Sequence, residues 1–275
     1  MIEFGLLALL GVGLGAFGTL VGAGGGFLLV PILLFAYPDM PPTTVTAMSL
    51  LVVLANAASG SFAYWRQGRI DVRTGLLFAA ATLPSAIAGA ILVAYIPRQQ
   101  FNVIFAVALA AIGVWLLLPS PETTAIRAPL AGRGVIRRRL TDRQGLSFVY
   151  GYRVWQGLSI SAVVGFVSSI LGIGGGIVHV PAMVMVLRFP VYVATATSQF
   201  VLGVMAFEAV AVHVARGTLT WDLTLARSGA VAAGAILGAQ IGARFSHRVG
   251  GDRILRLLGA ALLLVAARLA WTALA

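Results

Sequence analysis

The chain has 275 residues, of which 60% are apolar and 10% charged, and it contains no cysteine. Its formal charge of +11 comes from arginine alone, because lysine is absent. This balance excludes disulfides, iron–sulfur clusters and thiolate metal sites, and it leaves a polytopic helical membrane protein, with no nucleic-acid partner expected. The arginines gather between the apolar runs, where cytoplasmic loops accumulate positive charge.

Met1-Ile2-Glu3 opens with an acid, so the first apolar run reads as mature protein rather than a secretory signal. Gly5 to Val21 has helical length, with Gly11/Gly15 and Gly18/Gly22 at the four-residue spacing that lets helix backbones approach closely. A glycine run breaks it, and a short apolar stretch leads to the turn Pro38-Asp39-Met40-Pro41-Pro42. Thr43 or Thr44 is the expected cap of the next span, which ends at Tyr64-Trp65, read as an interfacial aromatic pair. Arg66, Arg69, Asp71 and Arg73 make a basic loop, and further spans cover about Thr74–Ile96 and Phe101–Leu118. Residues 119–153, rich in arginine, proline and glycine, read as a loosely ordered cytoplasmic linker. They separate a first membrane unit, 1–118, from a second, 154–275.

The second unit repeats the first. Gly22-Ala23-Gly24-Gly25-Gly26 followed by Pro31 recurs as Gly172-Ile173-Gly174-Gly175-Gly176 followed by Pro181, displaced by 150 positions. Thr46-Ala47-Met48-Ser49 matches Thr195-Ala196-Thr197-Ser198 at 149, as do Gly68 with Gly217 and Gly89 with Gly238. Register held over more than sixty residues points to internal duplication.

Loop charge indicates how the copies are related. If each glycine segment is a hairpin followed by three crossings, the halves are inverted and both termini face out. Fifteen arginines then lie inside and four outside, against thirteen and six if each segment crosses once. Each glycine segment covers about thirty residues, which as helix would span roughly 45 Å, too long for one crossing of a core of about 30 Å. The expected architecture is all-α: two inverted repeats, each with a glycine-centred broken or hairpin helix and about three transmembrane helices.

Two copies of Gly-x-Gly-Gly-Gly followed by Val-Pro, each opening half of a small polytopic chain, resemble the TauE/SafE family of sulfite exporters. The resemblance covers roughly residues 5–118 and 155–272. It implies a bacterial inner-membrane, multi-pass permease for a small sulfur-containing anion such as sulfite, thiosulfate or an organosulfonate.

The residues independently favour an anion. A helix break at membrane depth leaves backbone N–H and C=O groups lining a buried or watery cavity, and paired breaks in two halves point to a transporter's binding site. Helices starting at Gly26 and Gly176 would present unpaired N–H groups and partial positive charge to one oxyanion. Gly22, Gly24, Gly25, Gly26, Gly172, Gly174, Gly175 and Gly176 form the candidate walls. Thr46, Ser49, Thr195 and Ser198, with Asn56 and Gln199, are the candidate side-chain donors. Binding by neutral dipoles is weak enough to allow release.

Three polar residues break the symmetry: Asn56, His179, where the first copy has Leu29, and Glu208. Intramembrane ionisable groups mark proton or ion pathways, so His179 and Glu208 are the candidate proton carriers. His213 and His247 read as interfacial. No recognisable ligand spacing emerges for a metal, and no cofactor is called for. The expected partners are the anion and the bilayer, with homo-oligomerisation left open.

Overall fold

The computed structural model describes residues 2–117, 132–220, 223–246 and 251–274. The chain is mostly helical. In the first half α1 spans Ile2–Val21, α2 Gly26–Ala36, α3 Pro42–Gln67, α4 Val72–Leu92 and α5 Arg98–Leu117. In the second, α6 spans Val154–Leu171, α7 Gly176–Pro181 (continued as π-helix over Ala182–Val186), α8 Val191–Ala215, α9 Leu223–Phe245 and α10 Gly251–Leu274. Among the described residues six helices are long and apolar enough to cross a membrane: α1, α3, α4 with its 3-10 extension to Tyr95, α5, α6 and α8. Helices α9 and α10 have 23 and 24 residues, their apolar runs interrupted by residues such as Gln240 and Arg256.

The two halves pack in equivalent ways. Helix α1 lies on α9 as α6 lies on α4, α3 and α8 cross at the centre, and α5 pairs with α10. Small residues set the first of these seams. A Cβ at Gly234, Gly238 or Gly242 would overlap the carbonyls of Ala8, Val12 or Ala16, so α1 and α9 touch backbone to backbone and run in the same direction.

Other contacts fix the remaining directions. Asn56 donates to the Gly15 carbonyl and Tyr64 to that of Thr19, which makes α3 parallel to α1. Gly157 and Gly165 face Phe78 and Thr82, so α6 runs with α4. Asp71 with Thr197 and Gly75 with Phe200 align α4 with α8. Gly60 faces Gln199 and Gly203 faces Ala57, so α8 runs against α3. Helix α2 starts beside Val53, in the middle of α3, and returns to the turn from which α3 departs. The segment is therefore a hairpin that goes halfway in and comes back.

The linker departs from expectation. Residues 135–153 are not loosely ordered but form an antiparallel hairpin, β1 Val135–Thr141 and β2 Ser147–Arg153, so the fold is not purely α-helical. Period-two alternation explains it: Ile136, Arg138 and Leu140 oppose Tyr152, Tyr150 and Phe148 on one face. Asp142 shapes the turn by accepting from the backbone N–H groups of Gln144 and Leu146. Linker residues 119–131, including Arg127, lie outside the described residues.

Smaller corrections concern span ends. Helix α3 begins at Pro42 with Pro41 before it, a start suited to proline's fixed φ, and neither Thr43 nor Thr44 caps it. Tyr64 is buried while Trp65 is exposed, so the pair is not interfacial as a unit. His213 is buried as well, and His247 lies outside the described residues.

Candidate functional site

The two glycine runs meet at mid-height of α3 and α8. Gly24 and Gly174 both abut Val53 and Leu202, one from each central helix. A Cβ at Gly26 would sit 2.9 Å from the Gly172 carbonyl oxygen, and one at Gly176 would overlap that of Gly22. Gly24 and Gly25 have φ of 73° and 79°, and Gly174 and Gly175 have 79° and 71°. A left-handed backbone at four such positions is what glycine supplies without a Cβ penalty. The same bend is thus built twice, and the starts of α2 and α7 converge on one junction. Helix N-termini carry partial positive charge, so it gathers there, although the Gly176 N–H at the start of α7 already donates to the Gly174 carbonyl at 2.8 Å.

Hydroxyl groups from the central helices reach this junction across the halves. Ser49 donates to the Gly172 carbonyl at 2.7 Å, and Ser198, its counterpart, to the Gly22 carbonyl at 3.5 Å. Thr46 faces Gly172 and Thr195 faces Gly22. The Thr46 hydroxyl bonds back to the Pro42 and Thr43 carbonyls, whereas the buried Thr195 hydroxyl has no partner. Ser168, also buried and unpartnered, stands 3.1 Å from where a Gly175 Cβ would be. Buried polar atoms are normally bonded, so these orphan hydroxyls, Thr195 beside Gly22 and Ser168 beside Gly175, are sites where a ligand or water would be accommodated.

Asn56 and Gln199 form a second group beside the junction. Asn56 Oδ1 accepts from Gln199 Nε2 at 2.8 Å and from the Thr19 hydroxyl at 3.0 Å, and its Nδ2 donates to the Gly15 carbonyl. The Gln199 Oε1 is buried without a partner. Thr19 and Tyr64 were not among the expected residues. Thr19 sits in an apolar helix, and nothing in its spacing separates it from a packing residue.

His179 and Glu208 are not brought together. His179 is buried on α7, beyond the glycine turn, with its Nε2 3.1 Å from the Ser161 hydroxyl and its ring edge-on to Phe78. Glu208 lies on α8, more than a turn past Leu202, half-buried, with its Oε2 unpartnered. Among the described residues no group of three acidic or histidine side chains fits a metal ion.

The junction lies between two dissimilar ends. At the end where α1 begins, a recess of about 560 Å3 opens between the α2–α3 and α8–α9 turns, lined by Tyr37, Met40, Thr44, Thr218, Thr220 and Thr224. At the opposite end the β-hairpin is packed into the helices. Asp71 accepts from the Tyr150 hydroxyl at 2.7 Å and faces Arg138 at 3.4 Å, and Arg69 pairs with Asp142 at 3.5 Å, both nearly solvent-free. Burial first, and the Asp71 charge second, push the Tyr150 phenol far above its ordinary range, so it remains a donor.

A model of the family described as "Sulfite exporter TauE/SafE" matches residues 7–269. The chain belongs to the TauE/SafE family. It is similar to a probable membrane transporter protein, YunE, of Bacillus subtilis, with 30% identity over 98% of this chain and 97% of the relative. It also resembles a probable membrane transporter protein of Xylella fastidiosa, 24% identical over 98% and 95% of the two chains. A third relative, from Methanocaldococcus jannaschii, is 27% identical over 70% of this chain and 66% of its own. No solved structure matches the chain significantly. As a TauE/SafE protein with six apolar helices of spanning length, it is a multi-pass membrane transporter.

Proposed function

We propose that this transporter exports a small sulfur-containing oxyanion (sulfite, thiosulfate or an organosulfonate) across a bacterial inner membrane, holding it between the two glycine turns. The observation that carries the reading is the meeting of two left-handed glycine turns, each opening a helix, beside the unpartnered hydroxyls of Thr195 and Ser168. Backbone N–H groups and hydroxyls suit the oxygens of a tetrahedral or pyramidal anion, and neither metal nor catalytic nucleophile is required.

The halves are inverted repeats in this reading. Its support is the run of contacts: α1, α3 and α9 point one way and α4, α6 and α8 the other, so each of these six opposes its counterpart in the other half. The hairpin end gathers Arg66, Arg69, Arg73, the hairpin arginines and Arg244, which supports a cytoplasmic position for it, with the termini outside.

Export follows from magnitude. Moving one charge through 100 mV is worth about 2.3 kcal/mol, so a dianion gains roughly twice that on leaving a negative interior. No coupled ion is needed. One observation favours a second reading, proton-coupled import: the Glu208 oxygen that is buried without a partner is placed to carry a proton.

Flux of labelled sulfite and thiosulfate from oriented proteoliposomes, at set voltage and pH gradient, separates the two. The double variant His179→Gln/Glu208→Gln keeps voltage-driven efflux if the protein is an exporter. Loss of all flux from the folded double variant instead supports coupled transport. In the same vesicles a cysteine at Glu3 reacts with an impermeant maleimide from outside, and reaction from inside alone contradicts inversion.

A further inference from the structure

We infer that the 135–153 hairpin is the cytoplasmic closure of the anion pathway, filling at its own end the volume that stays open as the recess at the other. This rests on the glycine junction being the transport site.

Internal duplication makes the comparison residue by residue. Thr218 and Thr220, which line the recess, stand 149 positions after Arg69 and Asp71, and Met40 stands 149 before Phe189. The recess and the hairpin seat are therefore the same place in the two halves. At one end these positions border open volume. At the other they grip the hairpin: Arg69 holds Asp142, Asp71 holds Tyr150 and Arg138, and Phe189 stacks on Tyr150 at 4.5 Å and Tyr152 at 5.0 Å.

The plug reaches toward the junction. Tyr152 meets Phe78 at 5.5 Å, and Phe78 in turn meets His179 at 5.6 Å, one turn from the glycines. Tyr150, Tyr152, Phe78 and Phe189 are at most 3% exposed, so the rings form a continuous dry layer between His179 and the hairpin's outer face. Gly157 allows this, because a side chain there would collide with the Phe78 ring.

The attachment combines this aromatic packing with polar contacts at a few named points. Beyond the two carboxylates, the polar contacts include the Thr74–Tyr152 hydroxyl contact at 3.0 Å and a backbone bond from Arg143 to the Gln67 carbonyl. Among the described residues no hairpin covers the recess. The linker thus converts a symmetric frame into one open outward and shut inward, and anion entry from the cytoplasmic side demands that the hairpin lift.

The chain has no cysteine, so a single Ser161→Cys substitution beside His179 reports access directly. A charged methanethiosulfonate reagent is applied from the hairpin side of oriented proteoliposomes. Modification should be slow with the hairpin intact and about ten-fold faster in Asp142→Asn and in Tyr152→Ala, with the rate from the opposite side unchanged. A disulfide between Gln67→Cys and Arg143→Cys, added to Asp142→Asn, ties the hairpin back without restoring the lost charge, and should return the slow rate. Fast modification with the hairpin intact, unchanged rates in both variants, or acceleration from both sides that the disulfide does not reverse would each overturn the proposal. The readout is thiol modification rather than flux, so a failure of sulfite transport is distinguishable from a failure of the closure.

Discussion

At Gly25 and Gly175 the backbone conformation and the crowding act together. A β-branched side chain at Gly25 would have to hold φ near 79° with its Cβ 2.7 Å from the Leu14 carbonyl oxygen. The left-handed conformation alone costs about 1–2 kcal/mol for a non-glycine residue. Gly25→Val should therefore abolish anion flux while leaving helix content by circular dichroism near the parent's, because the strain is local to the turn. Full flux from Gly25→Val and from Gly175→Val would show that these residues serve only close packing. The glycines were legible because their spacing recurs, and Ser49 and Ser198 because they follow that recurrence. The role of Thr46 was not, since a hydroxyl early in a helix reads the same whether it faces a ligand or its own carbonyls. Tyr64 was misread through its neighbour: Trp65 is exposed, but a helix turns 100° per residue and carries Tyr64 inward to Thr19.

Among the elements, the helices followed from apolar run length, and their boundaries shifted by a few residues where proline rather than threonine starts α3. The hairpin was hidden by composition. Arginine and glycine in 132–145 signal a linker, yet the alternation through Phe148, Tyr150 and Tyr152 is a strand pattern with one buried face. Its seat comes from the far side of the chain, which no local pattern records. Helix α9 illustrates the converse. Its Gly234, Gly238 and Gly242 lower its hydrophobicity, but they are what lets α1 approach. Gly238→Leu should destabilise the detergent-solubilised protein by at least the 1–3 kcal/mol typical of overpacking, read as a lower Tm. Gly5→Leu on the same helix pair, where a Cβ meets nothing within 4 Å, should leave Tm unchanged. Equal shifts in the two would contradict a backbone-contact seam.

For the molecule as a whole, the register suggests duplication and the arginines suggest inversion, while the asymmetry between the two ends has no signal in the sequence. It depends on an insertion that lies outside the repeated pattern and occupies only one of two equivalent seats. The central claim is that one anion sits where both halves contribute a glycine turn. Selenite is a heavier analogue of sulfite, and its anomalous scattering in crystals of the full chain tests this most directly. A single peak is expected within hydrogen-bonding reach of the backbone N–H groups at Gly25–Gly26 and Gly175–Gly176, close to Thr195 and Ser198. A peak confined to one half or to the surface arginines, in a preparation that transports selenite, would contradict the account.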